Sequence, residues 1–200
     1  MENLRLTDAY PHFQKAVDQD GGFALAHLFI SQTSPTAKAF CGHLDRAVTC
    51  AANVSAGEQL WIKGFRAGAY ADPATQRQFY TKLVGLFPGD ERAQTLLGVS
   101  YFGQQQYVEA VEHLKRATEI APGFAPAYNQ LGYAYRFLGR YPEAEAIFKK
   151  YTELLPGDPN PFDSYAEFLL KTGRFAEAIV QYRKALAVND RFVNSLTGIA

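Results

Sequence analysis

Residues 125–158, APAYNQLGYAYRFLGRYPEAEAIFKKYTELLPGD, carry a pattern that recurs on both sides at a fixed offset of 34 residues. Tyr128, Leu131, Gly132, Tyr135, Ala144, Phe148 and Pro156 define its slots. One period towards the N-terminus the same slots hold Gln94, Leu97, Gly98, Tyr101, Ala110, Leu114 and Pro122. One period towards the C-terminus Phe162, Tyr165, Ala166, Leu169, Ala178 and Tyr182 match in kind, and Asp190 replaces the last proline. A repeat of this length is one supersecondary unit that cannot bury its apolar face alone, so successive copies must stack.

The spacing within one copy states what the unit is. Leu131, Tyr135 and Leu138 fall at helical intervals, and so do Ala144, Ile147, Phe148 and Tyr151, which predicts two short helices per copy. Gly139 is expected to end the first in the left-handed region, with Gly173 repeating that stop. Pro142 fits the first turn of the second, where a missing N–H costs nothing. Small residues at Gly132 and Ala144, like Gly98 with Ala110 and Ala166 with Ala178, are expected to let the paired helices approach closely.

These slots resemble the tetratricopeptide pattern W-x2-L-G-x2-Y, A-x3-F and P, with Tyr128 standing in for tryptophan. The resemblance implies an all-α fold, a right-handed superhelical solenoid of antiparallel helix pairs, forming a single domain over residues 1–200. Residues 91–124, 125–158 and 159–192 are the clear copies. Residues 24–56 and 57–90 are degenerate ones, in which SQTSPTAKAF breaks the usual turn at Pro35, Ser55 to Glu58 reads as a capping box, and Asp72-Pro73 marks the internal turn. Residues 1–23 supply half a repeat through Ala9, Phe13 and Ala16, and residues 193–200 open a truncated one through Leu196 and Ile199. The two incomplete ends favour a segment cut from a longer chain over a natural chain that opens with a lone helix. The N-terminal portion also resembles a group of bacterial tetratricopeptide proteins to which no activity attaches.

Composition excludes several functions. Twenty basic residues balance twenty acidic ones, so no charge excess points to nucleic acid. No apolar run approaches the roughly 18 residues of a membrane span, and MENLRLTDAY lacks the regions of a secretory leader. Catalytic, metal and cofactor motifs are absent from the sequence: no GxSxG, no GK[ST] phosphate loop, no HExxH. His12, His27, His43 and His113 are scattered over different predicted helices, which argues against a metal site. Cys41 and Cys50 sit nine residues apart on one predicted helix, on opposite faces and over ~13 Å apart, too far to bridge. The lack of a disulfide suits the cytoplasm, the location expected of the chain as written, and a periplasmic one would require a secretory leader removed from upstream. The expectation is a chain that is not an enzyme and holds no cofactor.

What remains is a surface. In the tetratricopeptide family the first helices of successive repeats line a concave groove. Carried over slot by slot, the resemblance implies Trp61, Phe65 and Gly68; Thr95, Val99 and Phe102; Asn129, Tyr133 and Arg136; and Asp163, Glu167 and Leu170, with Phe137 and Lys171 flanking. The alternative reading is that Trp61, Phe65 and Phe102 simply pack the weak repeats. Members of the family that clamp a C-terminal carboxylate use paired lysines and asparagines, of which only Asn129 has a counterpart, and Asp163 and Glu167 would repel such a ligand. The groove so read suits an extended segment with apolar or aromatic anchors and a basic group near Asp163 and Glu167.

Three functions are therefore expected in order: a non-catalytic protein-binding scaffold, the docking or regulatory part of a larger enzyme, and a module that self-assembles into homo-oligomers through its uncapped ends.

Overall fold

The structure, a computed structural model, describes residues 6–199. The outermost positions of the expected half repeat and truncated repeat, 1–5 and 200, lie outside the described residues. The chain divides into two compact units, Met1–Pro88 and Gly89–Ala200. Among the described residues every regular element is a helix.

The first unit contains α1 (Leu6–Gln19), α2 (Ala24–Thr33), α3 (Ala37–Cys50), a single 3-10 turn (Ala51–Asn53), α4 (Ala56–Ala69) and α5 (Pro73–Leu86). Local chemistry sets these boundaries. At the end of α2 the hydroxyls of Thr33 and Ser34 donate back to the carbonyl of Ile30 at 3.0 and 2.8 Å, and Pro35 cannot continue the helix. Ser55 and Glu58 close the expected capping box on α4, the Ser55 N–H donating to Glu58 at 2.9 Å. Asp72 caps α5 ahead of Pro73 at its first position. Ala24, Leu28, Leu44, Ala47, Ala51 and Ile62 form the core of this unit.

The second unit runs α6 (Glu91–Gly103), α7 (Tyr107–Ile120), α8 (Ala125–Phe137), α9 (Tyr141–Leu154), α10 (Pro159–Lys171), α11 (Phe175–Val188) and α12 (Val193–Ile199). Helix hairpins α6/α7, α8/α9 and α10/α11 stack so that α6 touches α8, α8 touches α10 and α10 touches α12, while the second helices contact one another less. The three first helices therefore form the inner row of this unit. One core, built on Leu114, Leu131, Tyr135, Phe148, Tyr165, Phe168, Leu169 and Tyr182, is shared between hairpins, as stacking of incomplete units requires.

Two features repeat with the sequence period. The residue between paired helices takes a positive φ at Ala71 (58°), Gln105 (59°), Gly139 (71°) and Gly173 (79°). At Gly139 and Gly173 the glycine removes the cost of that conformation; Ala71 and Gln105 carry it. The second feature is a close approach at a glycine inside three successive hairpins, α4/α5, α6/α7 and α8/α9. A Cβ on Gly132 would lie 2.8 Å from the ring of Phe148, one on Gly98 2.7 Å from Leu114, and one on Gly64 would clash with the ring of Tyr80. The bulky partner of Gly132 is thus Phe148 one turn beyond Ala144, while Ala144 itself is fully buried. Among the described residues no helix is long and apolar enough to cross a membrane.

Candidate interaction surface

The inner row of the second unit carries nine of the groove residues expected from the repeat slots, and the structure gives them unequal roles. Thr95 on α6 donates to the Glu91 carbonyl at 2.7 Å, and Val99 on the same helix leaves 39% of its surface exposed. Phe102 packs on the core and meets Tyr107 and Phe137 edge-on at 5.4 and 5.8 Å. Phe137, exposed at the end of α8, stacks on Tyr107 at 4.8 Å with Arg136 lying 4.6 Å over its ring.

The centre of the row is a polar network. The Tyr133 hydroxyl donates to Glu167 at 2.8 Å, and Arg136 pairs with the other oxygen of Glu167 at 3.4 Å. Tyr133 also meets Phe148 edge-on at 5.2 Å, and the Arg136 side chain is only 14% exposed. Burial pushes the Tyr133 hydroxyl well above the ordinary tyrosine range, and Glu167 adds to it, so the phenol stays a donor. Asp163 on α10 accepts from Ser195 at 2.7 Å. Burial raises its carboxyl above the usual value, and the Ser195 hydrogen bond opposes this. Asn129 presents a buried Oδ1 and Arg136 a buried Nε that meet no hydrogen-bond partner among the described residues. Leu170 packs against the shared core, and Lys171 closes α10 as an exposed cation.

In the first unit Trp61 and Phe65 are structural as well as surface residues. Both pack against that unit's core; Trp61 meets Phe29 edge-on at 5.7 Å and Phe65 meets Phe40 at 6.4 Å. Gly68 faces Gln76 of α5, so it belongs to a helix contact instead of an open face. Sequence reasoning also missed a pair of histidines. Nδ1 of His27 on α2 lies 3.1 Å from Nδ1 of His43 on α3, although the two are 16 residues apart and the repeat is degenerate there. Among the described residues no three His, Cys, Asp or Glu side chains converge as a metal site, and Cys41 and Cys50 are both half-buried free thiols.

Comparisons with known proteins agree with the helix-pair architecture. The tetratricopeptide repeat family model matches residues 90–156. No curated protein sequence matches the chain. Among solved structures, a chain of the APC/C hetero-tetramer Cut9-Hcn1 aligns over 98% of this chain at 19% identity with a TM-score of 0.71; the match spans 39% of that longer chain. TTC0263 of Thermus thermophilus, a thermophilic tetratricopeptide protein, aligns over 92% of this chain and 95% of its own at 23% identity and a TM-score of 0.70. YrrB, described as a tetratricopeptide protein with an unusual peptide-binding site, aligns over 92% of this chain and 96% of its own at 18% identity and a TM-score of 0.62. At these identities the structural likeness speaks for the fold, and the family model speaks for the repeats. Residues 90–156 match the tetratricopeptide repeat family, and the chain shares its helix-pair fold with solved tetratricopeptide structures.

Proposed function

We propose that this protein is a non-catalytic scaffold that binds an extended peptide segment of a partner protein along the inner row of α6, α8 and α10. The observation that carries the reading is the inner row itself. It combines exposed apolar side chains, Val99 and Phe137, with a buried and unpartnered acceptor on Asn129, all backed by a core shared between hairpins. A buried acceptor without a partner costs about 1–3 kcal/mol, and a main-chain N–H from an incoming segment would relieve that cost once the carboxamide turns outward. Glu167 is already paired with Arg136 and Tyr133, so the basic group expected on the ligand has Asp163 as its natural counterpart. Apolar anchors then fall to the slots around Val99, Phe102 and Leu170.

The test is partner capture from lysate by the parent protein and by a Val99→Glu, Asn129→Ala variant. Both substitutions avoid the Tyr133–Glu167–Arg136 network, so the helical circular dichroism should be unchanged. Loss of capture by the variant is the expected result. Equal capture by both proteins would refute the assignment of the inner row.

A further inference from the structure

His27 of α2, Thr36 and the first three turns of α3 border a cleft of about 560 Å³ lined by His27, Thr36, Lys38, Gly42, His43 and Arg46, with no carboxylate among the described residues of its wall. Lys38, Gly42 and Arg46 follow at i, i+4 and i+8, on one face of α3. Gly42 leaves the middle of that face open, since a Cβ there would meet nothing within 4 Å. Among the described residues neither Lys38 nor Arg46 has an acidic partner. Arg46 reaches the Gly21 carbonyl through Nη2 at 3.4 Å, with its other donors uncommitted.

The histidine pair fixes its own protonation. Nε2 of His27 lies 3.2 Å from the Gly21 carbonyl, which can only accept, so Nε2 carries the proton. The Nδ1 of neutral His27 is then an acceptor, and His43 donates to it from Nδ1 at 3.1 Å. The ring centroids are 5.3 Å apart, and this exceeds the 3.1 Å nitrogen separation by about two centre-to-vertex radii of an imidazole. The two nitrogens therefore point head-on, as in an N–H···N bond. A shared metal would need lone pairs converging on a third point. His43 is left with Nε2 as its only uncommitted nitrogen, and it can take up a proton there without breaking the bond to His27.

We propose that this cleft binds a phosphate group, held by Lys38, Arg46 and the Nε2–H of protonated His43. Three cationic groups without a carboxylate suit a dianion better than a single carboxylate, and the fork of Arg46 matches paired phosphate oxygens. Phosphate monoesters release their second proton near ~6, close to the histidine range, so ligand and His43 can share one proton. In the free protein, burial holds the His43 pKa below its ordinary value. Among the described residues no acidic group beside His43 opposes this. Asp20 in the α1–α2 turn accepts from the Gly22 N–H at 2.8 Å, and Asp45 on α3 faces Arg66 of α4 at 3.8 Å. A bound phosphate supplies the missing negative charge and raises that pKa. This site lies in the first unit and does not depend on the inner-row reading of the second.

The experiment follows the imidazole protons of His43 by NMR while sodium phosphate, a phosphoserine hexapeptide or sodium acetate is added at constant ionic strength. The expected result is a saturable shift with either phosphate ligand, an upward move of the His43 titration midpoint when it is bound, and a markedly weaker response to acetate. Lys38→Gln and Arg46→Gln, both at exposed positions, should each weaken phosphate binding about tenfold or more with unchanged circular dichroism. Tighter binding of the peptide than of free phosphate identifies a phosphorylated partner as the source, and equal binding identifies a small phosphate. No saturable shift, an equal response to acetate, or undiminished affinity in Lys38→Gln would overturn the proposal.

Discussion

Adding one methyl group at Gly132 tests how tightly the hairpins are built. The Cβ of Gly132→Ala would stand 2.8 Å from Cε1 and Cζ of Phe148, well inside the ~3.5–4.0 Å of an ordinary carbon contact. Phe148 has no exposed surface and is hemmed in by Tyr133 at 5.2 Å and Phe168 at 5.5 Å, so its ring cannot swing aside into solvent. Overpacking of this kind costs about 1–3 kcal/mol. Replacing glycine by alanine inside a helix returns about 1 kcal/mol. The net expectation is a loss of about 0–2 kcal/mol. Gly42→Ala is the matched control: it also lies mid-helix, in α3, but its Cβ would meet nothing within 4 Å, so the same substitution should gain about 1 kcal/mol. The two variants should differ by about 1–3 kcal/mol. Because repeat arrays open in parts, hydrogen exchange on α3 and on α8/α9 should be read beside urea unfolding by circular dichroism. If Gly132→Ala stabilises its hairpin as much as Gly42→Ala stabilises α3, the argument from the Phe148 ring is wrong.

Two further outcomes follow from the second unit. Glu145 of α9 accepts from Arg174 at 2.7 Å, Lys149 at 2.8 Å and Tyr165 at 2.9 Å, and Arg174 chiefly holds its carboxyl down to about 2. A carboxyl depressed in the folded state contributes stability that is present above the unfolded value of ~4.3 and fades as pH falls towards about 2; Arg174→Gln should raise the Glu145 midpoint in a 13C-carboxylate titration and flatten the acid limb of unfolding. Gly139 sits at φ +71°, so Gly139→Ala should cost about 1–2 kcal/mol in urea unfolding although nothing crowds the site.

The helical architecture was legible because its causes are local or periodic. The stops at Gly139 and Gly173, the capping box at Ser55 and the Asp72-Pro73 start each rest on a few neighbouring residues. The same turn geometry at Ala71 and Gln105 was hidden, because there the hairpin imposes a left-handed residue that the sequence does not announce. Slot assignment placed Tyr133, Arg136, Asp163 and Glu167 on the inner row, but it could not show that Tyr133 and Arg136 both spend their polar groups on Glu167. That depends on side chains from different hairpins meeting. Trp61 and Phe65 were ambiguous for the reverse reason: an aromatic residue at a groove slot and one that packs a core share the same helical spacing, and burial alone separates them. The His27–His43 contact joins two helices whose connecting turn departs from the repeat, so periodicity carried no information about it.

The bond from Tyr133 to Glu167 joins residues 34 positions apart, which is the repeat length itself. Each therefore meets the occupant of its own slot one copy along. A duplication of residues 125–158 would set tyrosine against tyrosine at that place, and a copy of residues 159–192 would set carboxylate against carboxylate. The interaction exists only because neighbouring copies have diverged. Sequence differences between repeats thus act as an address that fixes which hairpin follows which, and they penalise both slippage during folding and the replacement of these copies by an averaged one.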